Sequence, residues 1–168
     1  MTVTAVRKDP QTLTMTLQAE FDASPERVWQ LWADPRQLER WWGPPTYPAT
    51  FTKHHLAPGG RAEYHMTGPQ GDQHRGYWEV LEADAPHRLV FRDGFAHADG
   101  TPNADMPVFT ARVRMEEVGH GRTRMAIESV FPSAEALEQV LAMGMEEGLR
   151  LAVGQIDAIL AEDTIARR

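Results

Sequence analysis

The stretch FPSAEALEQVLAMGMEEGLRLAVGQIDAIL, Phe131 to Leu160, decides how the rest of the chain is read. Ser133 supplies an N-cap, and Glu135 follows near the positive end of the helix dipole. Leu137, Val140, Leu141, Gly144, Gly148, Leu151, Ala152, Gln155 and Ile159 then recur at i, i+3, i+4 and i+7, the spacing of one face of a helix. The pattern predicts one long helix to about Glu162. Three glycines interrupt it, Gly144, Gly148 and Gly154, each costing roughly 1 kcal/mol against Ala in a helix interior. Two of them lie on the inward face. Either the helix backbone packs closely against another layer there, or the missing side chains leave empty volume.

Upstream, the period changes. Leu13, Met15, Leu17, Ala19 and Phe21 alternate with polar residues, which predicts a strand over about Thr12–Phe21 with one buried face. Ser24-Pro25 and Asp34-Pro35 each combine a capping side chain with proline at the first helical position, so two short helices follow, ending at Gly43-Pro44-Pro45. From Tyr47 to Phe131, alternating runs separated by Gly, Pro, Asp and Asn read as an antiparallel meander, with strands near 49–54, 61–67, 74–82, 88–93, 108–117 and 123–131. The irregular segment Gly94–Pro107 is the longest connection and the expected mouth loop. The fold class is α+β: an antiparallel sheet of about seven strands against a C-terminal helix, with two short helices after the first strand. One domain spans 12–162, preceded by a flexible segment 1–11 and followed by a tail 163–168.

A net charge of −7 without a basic cluster argues against nucleic acid as partner. No run approaches the roughly 20 apolar residues that span a bilayer, and the first dozen residues lack the apolar core of a signal peptide. With no cysteine, the expectation is a cytoplasmic protein without disulfides or thiolate metal sites. Seven histidines are scattered rather than clustered, so no metal is expected, and no nucleotide or cofactor motif is present.

Four separated segments carry a resemblance: FDASPERVWQLWADPRQLERWWGPP (21–45), APGGRAEYHM (57–66), GYWEVLEADAPHRLVF (76–91) and the C-terminal stretch quoted above. Together they resemble the START/birch-pollen-allergen (SRPBCC, helix-grip) superfamily, in the branch similar to the C-terminal domain of the activator of the heat-shock protein 90 ATPase. The resemblance implies a curved sheet wrapped around the long helix, with an apolar cavity between them, and so favours empty volume at Gly144 and Gly148. Relatives often have Trp where this chain has Leu149, which implies a differently shaped or more open pocket.

By strand parity, Tyr64, Met66, Trp78, Phe91, Phe109 and Met125 can line that cavity, although the same alternation describes ordinary core. Trp41 and Trp42 either stack on a flat ligand or plug one end. Glu147 lies three residues from Gly144, near the apolar face, while Glu146 is expected to point to water. A carboxylate at that place could polarise a ligand; His65 at a rim or Tyr64 could move protons. Lys53, in phase with Ala49 and Phe51, could meet an anionic group. The ligand-binding set is therefore Trp41, Trp42, Tyr64, Met66, Trp78, Phe91, Phe109, Met125, Gly144, Glu147 and Gly148, with Glu147, His65 and Tyr64 as catalytic candidates. The first function expected is binding of a hydrophobic small molecule. The second is a cyclase, dehydratase or hydrolase using the same cavity, and the third a chaperone ATPase co-factor. Homodimerisation through a strand edge is compatible with each.

Overall fold

A computed structural model describes residues 3–166; the outermost residues of the expected N-terminal segment and C-terminal tail lie outside them. The chain runs β1 (Val3–Asp9), β2 (Thr14–Phe21), α1 (Pro25–Ala33), α2 (Pro35–Leu38), β3 (Ala49–His54), β4 (Arg61–Thr67), β5 (Gln73–Asp84), β6 (Arg88–Ala96), β7 (Phe109–Glu117), β8 (Thr123–Val130), α3 (Ala134–Ala142), α4 (Met145–Gly154) and α5 (Ile156–Ala166). The strands form one eight-stranded sheet in the order β1-β2-β8-β7-β6-β5-β4-β3, each neighbouring pair antiparallel. This is the α+β helix-grip arrangement. No helix among the described residues is long and apolar enough to cross a membrane.

The extra strand is β1. Residues 3–9, expected from sequence to be flexible, pair with β2 from Val3↔Ala19 to Asp9↔Thr14. Their alternation is weak because the strand is an edge and buries little. β2 itself follows the period-2 reading, with Met15, Leu17, Ala19 and Phe21 all buried. It closes the order of the sheet by pairing with β8 in an unbroken register, Thr14↔Val130 to Phe21↔Thr123.

The capping residues act as their chemistry demands. Ser24 accepts the Arg27 N–H at the start of α1, and Asp34 accepts the Arg36 N–H at the start of α2. Val28, Leu31 and Trp32 then turn one stripe of α1 into the core. Arg27 anchors this helix to α5 through Asp163, at 2.6 Å.

The long C-terminal helix of the sequence reading is corrected to three segments. α3 ends at Ala142 with Met143 as its C-cap, and Gly144 takes the left-handed conformation, φ 90° and ψ 22°, which glycine reaches without a Cβ penalty. Gly144 is therefore a helix-ending residue, not an interior one, and the cost reckoned for an interior glycine does not apply there. Gln155 interrupts the helix a second time, but its backbone stays right-handed, so α4 and α5 run on as one rod. Because α4 starts afresh after Gly144, the inward phase shifts. Leu151 is 45% exposed, while Ala152, Val153, Ile156, Ile159 and Leu160 are buried. Gln155 sits on the inward side because its amide has work there, donating to the Gly43 carbonyl at 2.7 Å.

Between sheet and helices lies an aromatic core. Trp32 meets Trp41 edge-on at 4.7 Å between ring centroids, Trp42 meets Trp78 at 4.9 Å, and Trp78 stacks on Phe91 at 4.1 Å. A second, smaller core joins α3 to the sheet, with Leu137 and Val140 over Met15, Phe109 and Phe131. Between these two cores the packing leaves a gap.

Candidate functional site

The gap is a cleft of about 300 Å³ between β4, β6 and β7 on one side and the α3–α4 junction on the other. That volume is at the small end of the range for ligand pockets. Its position follows from the glycines. A Cβ built on Gly148 would meet no atom within 4 Å apart from its own helix and chain neighbours, so this turn of α4 stands clear of the sheet. Val140, Met145 and Leu149 flank the glycines on the helical side, and Met143, 56% exposed, stands at the mouth. Leu149 borders the cleft as well.

Opposite them is a polar pair in apolar surroundings. Asp93 on β6 is only 8% exposed, and it accepts a hydrogen bond from the Tyr64 hydroxyl of β4 at 3.1 Å. The bond reaches across the intervening strand β5. In register with Tyr64 stands Gly76, where a Cβ would lie 2.4 Å from the Tyr64 hydroxyl, so the phenol can cross the strand only because that side chain is missing. Gly76→Ala should push Tyr64 away from Asp93 and cost about 1–3 kcal/mol of stability by overpacking. Thermal melting checks the cost; an unchanged melting temperature would mean that the ring moves freely.

Burial pushes the Asp93 carboxyl up to about 7, the Tyr64 hydrogen bond pulling weakly the other way. Burial first, then the charge of Asp93, raises Tyr64 well above the ordinary phenol range. Trp42 leans its ring nearly perpendicular to Tyr64, centroids 6.1 Å apart, and its buried indole N–H counters part of the rise in the Tyr64 phenol without closing a well-formed hydrogen bond. The site thus offers an apolar enclosure and a carboxyl poised to gain or lose a proton near neutrality.

Of the residues singled out from sequence, Trp42, Tyr64, Met66, Phe109, Gly144 and Gly148 border this cleft. Trp41, Trp78, Phe91 and Met125 do not: each has no exposed surface and is core. Trp41 is held there by its Nε1 bond to the Leu31 carbonyl, and Met125 accepts from Trp32 Nε1. Glu147 is exposed, whereas Glu146 is partly buried and pairs with Lys8 at 2.7 Å, the reverse of the expectation. The restart of the helix at Gly144 accounts for the exchange. His65 alternates with Tyr64 and Met66 onto the opposite face of β4, outside the cleft. Lys53 is exposed because a register shift between Phe51 and Lys53 breaks the phase of β3. Of the expected mouth loop, only Gly94 and Phe95 border the cleft, and both belong to β6.

Asp93 was missed by sequence reasoning. The signal was parity, since Leu89, Phe91 and Asp93 are spaced to share a face.

Residues 22–161 match the family described as Activator of Hsp90 ATPase homolog 1-like protein. The chain belongs to that family. No curated protein matches it. Among solved structures, the crystal structure of protein Ms6760 from Mycobacterium smegmatis is 52% identical, covers 94% of this chain and 96% of its own, and superposes with a TM-score of 0.87. A protein from Arthrobacter aurescens, solved by solution NMR, is 51% identical over 96% of this chain and 93% of its own, with a TM-score of 0.92. The AHSA1 protein from Silicibacter pomeroyi shares the fold at 19% identity, with a TM-score of 0.73 over 89% of this chain and 99% of its own. Membership of the Activator of Hsp90 ATPase homolog 1-like family agrees with the branch to which the four sequence segments pointed.

Proposed function

We propose that this protein binds a small hydrophobic molecule in the cleft between the sheet and the α3–α4 junction. The observation that carries the reading is open volume of about 300 Å³ beside Gly148, bounded mainly by apolar side chains. Apolar area removed from water would supply most of the affinity, and the Tyr64–Asp93 pair would orient the guest. The proposal places this activity in the cytoplasm.

Gly148→Phe tests it. The substitution fills the cleft from the helix side and replaces glycine with a better helix former, so the protein stays folded. Titrated with the neutral fluorescent probe N-phenyl-1-naphthylamine, the variant should bind at least tenfold more weakly than the parent, about 1.4 kcal/mol or more. Equal affinities would place the binding elsewhere.

A second reading, an enzyme that moves protons on the same guest, is favoured by one observation: a buried carboxyl near 7 beside a phenol. It would use Asp93 and Tyr64, since Glu147 and His65 do not border the cleft. A role with a chaperone ATPase has only the family description behind it.

A further inference from the structure

We infer that the occupant of the cleft is a hydrophobic amine, its protonated nitrogen seated against the Asp93 carboxylate and its apolar body along α4. The inference rests on the cleft being a ligand site and adds the chemical class of the ligand.

Its starting point is a missing partner. A buried carboxylate is costly unless a cation or a full set of donors compensates it. Asp93 receives one hydrogen bond, from Tyr64 to Oδ1, and takes part in no ion pair among the described residues. The residue borders the cleft, and no hydrogen bond to its other oxygen is seen among the described residues.

Among the described residues, the elements around Asp93 supply no cation. Its register partners are Trp78 on β5 and Phe109 on β7. Trp42 comes from the segment after α2, and Val140, Met145 and Leu149 from α3 and α4. The titratable groups that feel its charge are phenols, Tyr64 in the cleft and Tyr77 on β5. On α4, Glu146 is engaged by Lys8 and Arg150, and Glu147 is exposed. Its chain neighbour Arg92 is exposed and lies toward Glu79, at 3.9 Å.

The rest of the lining suits a cation as well as it suits hydrocarbon. Trp42, Tyr64, Phe95 and Phe109 present aromatic rings to the cleft, and ring faces attract ammonium groups most strongly when water is excluded. A net charge of −7 favours approach of a cation and opposes an anion. An acid of the same shape would set a second negative charge beside Asp93.

Three ligands with one naphthalene body separate the possibilities: 1-naphthylmethylamine, 1-naphthalenemethanol and 1-naphthoic acid, titrated calorimetrically at pH 5.5 and 7.5. At pH 7.5 the amine should bind at least tenfold more tightly than the alcohol, and the acid most weakly. Asp93 must be ionised to hold the amine, and burial sets its carboxyl at about 7, so the amine's advantage should shrink at pH 5.5. D93N should abolish the preference at both pH values, the amide oxygen still accepting from Tyr64. Should D93N not fold, the parent decides alone: amine binding at pH 6.5, compared in buffers of different ionisation enthalpy, should release protons. An alcohol that equals the amine, a preference that survives D93N, or no proton release would overturn the amine while leaving the cleft as a binding site. Failure of all three ligands and of N-phenyl-1-naphthylamine would overturn both.

Discussion

Trp32→Ala should remove about 3–5 kcal/mol of folding stability, a large part of the 5–15 kcal/mol typical of a domain. Trp32 has no exposed surface and lies within 4.7 to 6.2 Å, centroid to centroid, of the rings of Trp41, Trp42, Trp78 and Phe91. Its Nε1 also donates to Met125 Sδ at 3.4 Å. Truncation leaves a void at the junction of α1, the WWGP segment and the sheet. That void cannot collapse without moving three further tryptophans. Trp29, on the same helix but only partly buried, is the control and should cost clearly less. Urea unfolding of both variants gives the comparison. A Trp32→Ala cost near 1 kcal/mol, or no greater than that of Trp29→Ala, would show that the aromatic cluster repacks and is not the keystone of the fold.

The second large effect concerns pH. In the folded protein the Asp93 carboxyl is raised from its ordinary 3.8 to about 7, so the native state holds its proton more tightly than the unfolded chain. Stability from this group is therefore greatest below about pH 4, falls as pH rises toward 7, and stays low above. The full loss is on the order of 4 kcal/mol at 1.36 kcal/mol per pH unit. D93N cannot ionise and loses this slope. It should match the parent near pH 4 and exceed it by a few kcal/mol at pH 8, as measured by urea unfolding at pH 4, 6 and 8. Parallel pH profiles for the two proteins would mean that solvent or structural relaxation relieves the charge. A stabilising loss of a buried charge would also mark Asp93 as retained for something other than folding, since natural sequences seldom keep such a group for packing.

Which parts of this were legible beforehand depended on how local the governing interaction is. Ser24-Pro25, Asp34-Pro35 and the alternation from Met15 to Phe21 act through their immediate neighbours, and each does in the structure what its chemistry requires. Lys53 was misplaced because a bulge is invisible to parity. Gly144 was read as an inward helix position because spacing alone cannot tell a helix interior from a helix end; the left-handed turn it makes depends on where α4 must go. Trp41 and Trp42 are adjacent in sequence, yet one is sealed in the core and the other borders the cleft, a division made by strands far along the chain. Asp93 was hidden by its neighbour. Asp-Gly ordinarily signals a turn, but the Tyr77 ring covers Gly94 and β6 continues to Ala96, carrying the carboxylate inward.

The left-handed residue at Gly144 divides the walls of the cleft between two mechanical bodies. Tyr64 and Asp93 belong to the hydrogen-bonded sheet, whereas Met143 and Met145 flank a single-residue joint between α3 and α4. On the proposed reading, a bulkier guest would be admitted by rotation at that joint, with the floor and its polar pair undisturbed. Adaptability and selectivity toward such a guest would then be vested in different segments of the chain, and sequence changes in one need not compromise the other.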